Sequence, residues 1–97
     1  MSEGGAVVRW AGGGEATIVA LDARSIVLRS TVPAPPGARI DGTLGVGGTG
    51  TLRIKVHACR QQPAGDFRVE GRPLDLPRDR RLHLERLIVP ERPDRAP

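Results

Sequence analysis

Aromatic residues are nearly missing from this sequence: there is no tyrosine, and Trp10 and Phe67 are the two aromatics among 97 residues. A core must therefore come from Val, Ile, Leu and Ala, and a surface that stacks nucleobases on exposed rings has little to build with. Cys59 is the one cysteine, which excludes an intramolecular disulfide and a cysteine-based metal cluster. His57 and His83 are the two histidines, and neither belongs to a pattern with metal-ligand spacing. No catalytic arrangement stands out, so no catalytic residue, metal or cofactor is expected and an enzyme is not. The Gly-rich "GTLGVGGTG" lacks the Lys-Ser/Thr of a phosphate-binding loop and reads as a hairpin. Long apolar runs are absent too. Nothing approaches the ~18 residues of a membrane span, and "MSEGGAVVRW" has neither the basic region nor the apolar region of a signal peptide. A cytoplasmic chain without membrane insertion is expected.

What is present is alternation. In "TLRIKVHACR", Leu52, Ile54, Val56 and Ala58 alternate with Arg53, Lys55, His57 and Cys59, which puts the first set on a core and the second on the outer face of a sheet. "ARIDGTLGV" repeats the scheme with Ile40, Leu44 and Val46 inward, and "DFRVEGR" does so with Phe67 and Val69. "AVVRW" supplies a first strand, and "ATIVALDARSIVLRS" supplies two more around the polar turn Asp22-Ala23-Arg24-Ser25. "WAGGGEA", "PAPPGA", "GVGGTGT" and "QQPAGD" carry the turn chemistry between the runs. Six short strands spaced about 8–12 residues apart predict an antiparallel barrel or sandwich. Trp10 is expected over the end of the barrel.

"LDLPRDRRLHLERLIV" breaks the pattern. Pro77 suits a first helical turn, Asp79 lies near the positive end of the helix dipole, and Leu84, Leu87 and Ile88 make one apolar stripe. Pro90 should end this helix by disfavouring α geometry at Val89. Leu82 falls on the opposite side of the wheel, either a wide-face core contact or a partner-facing residue. A disordered N-terminus is expected at 1–5, one domain at 6–89 and a flexible tail at 90–97.

The charge is basic, with a net +4. Of 15 basic residues Lys55 is the one lysine, so the rest are arginine. Ordinary solvated charge is the bland reading of this excess, and a basic strip is its functional reading. Arg53, Lys55 and His57 line one strand face, Arg68 and Arg72 lie on a neighbouring strand, and Glu70 stands between the last two. The strip permits an anionic partner. Nucleic acid is not expected, because aromatics are so few and acidic residues are interspersed. A basic nucleic-acid-binding barrel using Arg53, Lys55 and Arg68 stays an alternative.

The order of these segments resembles the PilZ domain over residues 6–89. "IVALDARSIVLRS" is similar to the family's V-x-D-I/L-S-x-x-G-x-x-L segment, "PPGARIDGTLGV" to its p-x-G-x-x-V lead-in, and "FRVEGRPLDLPRDRRLHLERLI" to its closing strand and helix. The resemblance implies an all-β fold, a six-stranded antiparallel PilZ-like β-barrel with one C-terminal α-helix. It also raises cyclic di-GMP, which binding members hold with an Arg-x-x-x-Arg arm before the first strand and a D/N-x-S-x-x-G turn. Here Asp22 matches the Asp, but Arg24 stands at the Ser position, Val27 at the Gly position, and residues 1–5 contain no arginine. A β-branched residue does not readily take the positive φ that Gly allows. Cyclic di-GMP is therefore not expected to bind. The alternative is a noncanonical site around Asp22 and Arg24, assisted by Arg9 or Arg29. With the motifs lost, the resemblance implies a regulatory adaptor acting through a protein partner, in motility or type IV pilus control. Its expected contact residues are Arg53, Lys55, His57, Arg68, Arg72 and Leu82.

Overall fold

Every alternating run becomes a strand in the computed structural model, which describes residues 6–44 and 50–88. The expectations for 1–5, for 90–97, for Val46 and for most of the "GVGGTGT" hairpin lie outside those residues. The strands are β1 (Ala6–Trp10), β2 (Glu15–Leu21), β3 (Ile26–Ser30), β4 (Arg39–Leu44), β5 (Thr51–Gln61) and β6 (Phe67–Leu74), followed by the helix α1 (Arg78–Leu87). They close into a barrel in the order β1-β2-β3-β6-β5-β4, antiparallel at every seam. The closing seam is β1 with β4, where Val8 faces Leu44 across the ladder while facing Ala16 of β2 on its other side. Among the described residues every strand has a neighbouring strand on both sides, which is how closure removes a free edge strand that another chain could extend.

The side-chain period of two fills the interior. Val8, Ile18, Ile26, Leu28, Leu52, Ile54, Val56 and Val69 are fully buried, with no aromatic among them. Two inward positions are glycines because backbone or ring comes too close for a Cβ. At Gly42 a Cβ would strike the Val8 side chain and come within 3.0 Å of the Trp10 ring; at Gly71 it would strike the Lys55 carbonyl.

Two bulges break the alternation, between Ile18 and Ala20 in β2 and between Val56 and Ala58 in β5. A bulge spends one extra residue on one strand and so reverses the facing of everything after it. Cys59, expected on the outer face, instead sits opposite the buried Val69 and packs half-buried against the core, where the Ala34 amide donates to its Sγ at 3.5 Å. Arg60 is turned outward by the same step.

Turns 11–14, 31–38 and 62–66 gather at one end of the barrel, and α1 covers the other. Pro77 sits one place earlier than a first-turn proline, as N-cap at φ −63 and ψ 154, and with no side-chain acceptor to offer it leaves Asp79 to meet the dipole. Leu84 is buried, a contribution of about 1.5–3 kcal/mol, and Arg80 donates to the Thr51 carbonyl at 3.3 Å. The helix stops at Leu87, before Ile88, which the apolar stripe placed inside it. Ile88 is extended at φ −78 and ψ 129, and it packs on the core from that conformation rather than as part of a helical stripe. Leu82, 40% exposed, is not a core contact.

Candidate functional site

At the β2–β3 turn the sequence offers its one carboxylate in a ligand-loop position. The structure shows where that carboxylate goes. Asp22 Oδ1 accepts from the Arg24 amide at 2.8 Å, the Ser25 amide at 2.9 Å and the Ser25 hydroxyl at 3.2 Å. The Arg24 N–H first, then the Ser25 N–H, hold the Asp22 carboxyl below the usual aspartate range, with a small added pull from the Arg81 guanidinium on α1. The turn is thus closed on itself, an aspartate capping its own backbone.

The other residues of the noncanonical nucleotide site are not brought to it. Arg9 lies against Glu15 at 3.8 Å, beside the 11–14 turn. Arg29 stands opposite Thr17 and reaches Asp66 at 3.6 Å. Both are toward the end of the barrel away from α1, whereas Asp22 and Arg24 are at the helix end. Five residues of strand, about 17 Å, separate Thr17 from Asp22.

The outer face of β4, β5 and β6 is different. Register places Arg39 opposite Lys55, and Lys55 opposite Arg72, so three cations run side by side across three strands. All three are exposed, and among the described residues none has a carboxylate within ion-pairing distance. A second row follows, with Arg29 opposite Arg68 and Arg68 opposite Arg60. Arg29, Arg60 and Arg68 are exposed, with Arg68 bonded to Glu70 at 2.9 Å. Arg53 is neutralised, bonded to Asp41 at 2.9 Å with Asp75 at 3.9 Å, and the Asp41 bond raises its pKa further. His57 is exposed on the same strand as Lys55.

Of the residues expected to form the strip, Lys55 and Arg72 therefore keep uncommitted charge, while Arg53 and Arg68 do not. Leu82 is not part of this face; it lies on α1 in a shallow groove with Arg78, Asp79, His83 and Arg86. Arg39 and Arg60 were not expected. Arg39 was legible, since Ile40 points inward and its neighbour must point outward. Arg60 was not, because only the bulge turns it out.

Beside Arg39, a cleft of about 510 Å³ opens at the end of the barrel opposite α1. Trp10, Val32, Pro33, Ala34 and Ile40 supply apolar wall, and Gly12 and Gly13 supply bare backbone. The indole is fixed: Trp10 Nε1 donates to the buried Ser30 Oγ at 3.0 Å, and that hydroxyl donates to the Val32 carbonyl at 2.7 Å while accepting the Val32 amide at 3.1 Å. Of the two charged residues at the cleft, Asp41 is held by Arg53 and Arg39 is uncommitted.

Among the described residues no group of three His, Cys, Asp or Glu side chains is placed to hold a metal ion, and no helix is long and apolar enough to cross a membrane. No protein-family model matches the chain, and neither a curated protein nor a solved structure does.

Proposed function

We propose that this chain is a non-enzymatic regulatory adaptor of the PilZ-like type, cytoplasmic, without affinity for cyclic di-GMP, which docks the acidic face of a protein partner on the outside of its barrel. The observation that carries this reading is the row of Arg39, Lys55 and Arg72 in direct cross-strand register without a carboxylate among the described residues. Like charges set opposite one another cost a sheet stability. A nearby solution exists in the same barrel, where Asp41 opposes Arg53. A row that forgoes it is supported as a surface for an external anion, which would fix the orientation of a docked partner. The Asp22 turn supports the absence of a dinucleotide site there, because Oδ1 is taken up by the turn's own donors and Arg9 and Arg29 lie toward the other end of the barrel. Motility or pilus control is the process that the family resemblance implies.

Calorimetric titration at near-physiological salt, with cyclic di-GMP, a polyglutamate peptide and a single-stranded oligonucleotide as separate probes, tests the reading. Polyglutamate is expected to bind in a salt-sensitive manner and to lose at least ~10-fold in affinity, about 1.4 kcal/mol, with the combined R39E, K55E and R72E variant. Saturable binding of cyclic di-GMP, tighter binding of the oligonucleotide, or no binding of polyglutamate overturns it.

A further inference from the structure

The row of cations does not end on a flat surface. Arg39, its terminal member, is also a wall of the cleft at Trp10, so one side chain joins an apolar hollow to a line of positive charge. The cleft has the volume of a ligand pocket, and its indole wall is held rigid by Ser30 rather than left to move. Its second charge, Asp41, is neutralised by Arg53, so the net charge offered to an occupant is that of Arg39.

From this continuity we infer that the partner is recognised through a short extended peptide segment, with an apolar side chain seated against Trp10 and carboxylates running on over Arg39, Lys55 and Arg72. The inference rests on the adaptor reading and adds what the partner must carry. Charge complementarity sets the acidic stretch, and the apolar wall sets the anchor beside it. A nucleobase is a poorer occupant, because Trp10 is the one aromatic lining the cleft and successive bases would have no second ring there to stack on; the other aromatic, Phe67, packs half-buried against the core and is not a wall of the cleft.

The test uses the whole chain and a set of labelled peptides in which Leu, Ile, Met, Phe, Pro or Ala precedes or follows four acidic residues. Trp10 is the one tryptophan, so the indole emission of the chain comes from a wall of the cleft. At least one apolar-anchored peptide is expected to bind about 10-fold more tightly than the Ala peptide and to move Trp10 emission to shorter wavelength. The variant G12L is the control. Gly12 lines the cleft and a Cβ there meets nothing within 4 Å, so the variant is expected to fold, to abolish the anchor's advantage and to keep polyglutamate binding. If every acidic peptide binds alike, with Trp10 emission unchanged, the cleft is not the anchor site and the inference falls while the adaptor reading stands. If no acidic peptide binds, both fall.

Discussion

Inverting the charge of Lys55 should make this protein more stable and less able to bind. Lys55 has Arg39 opposite it on β4 and Arg72 opposite it on β6. K55E turns two like-charge pairs into two opposite-charge pairs without touching the core. Cross-strand pairs are worth about 0.2–1 kcal/mol each, and exposure to solvent puts these near the lower end. Removing two repulsions and adding two attractions therefore sums to about 1 kcal/mol. In a domain of this size that is a rise in Tm of roughly 4–8 °C. Urea unfolding followed by Trp10 emission measures it. At ~0.01 M ionic strength the gain should be complete, and at ~1 M, where the Debye length falls to about 3 Å, it should vanish. K55Q, which removes the repulsions and adds no attraction, should fall between. A K55E variant no more stable than the parent at low salt would refute the reasoning, because it would mean that the three side chains do not feel one another. The same variant is expected to bind polyglutamate more weakly, so that stability and binding move in opposite directions.

Replacing Ser30 with alanine strands the buried Trp10 Nε1–H and removes both Val32 bonds; a loss of about 2–3 kcal/mol is expected. The same urea experiment checks it, and a loss below about 0.5 kcal/mol would show that the indole finds another acceptor. At the β2–β3 turn the Asp22 carboxyl is held below its ordinary pKa. Its stabilising share is therefore complete above about pH 3.9, the unfolded value, and is lost as pH falls through the lower folded value. D22A should be less stable than the parent at neutral pH and should approach it in strong acid, read as urea midpoints at successive pH values. A constant difference across that range would mean that ionisation of Asp22 does not stabilise the turn.

The sequence by itself determined the all-β class, the six strands and the terminal helix, because alternation and turn residues are local properties that read directly as burial. It also determined which residues face outward wherever alternation is unbroken, and Lys55, His57, Arg68 and Arg72 follow that rule. The tertiary structure decided the rest. Which strands become neighbours is set by closure of the barrel, so the pairing of β1 with β4 and of β3 with β6 has no local signature. The bulge after Val56 adds one residue and turns Cys59 inward and Arg60 outward, against the reading by alternation. Register then chooses which cations meet a carboxylate: Arg53 falls opposite Asp41 and is neutralised, whereas Lys55 falls between Arg39 and Arg72. Trp10 and Ser30, twenty residues apart, meet only because β1 and β3 flank β2. Residue identity fixes what each side chain offers, but an uncommitted charge or an anchored indole is a property of neighbours, and neighbours are made by the fold.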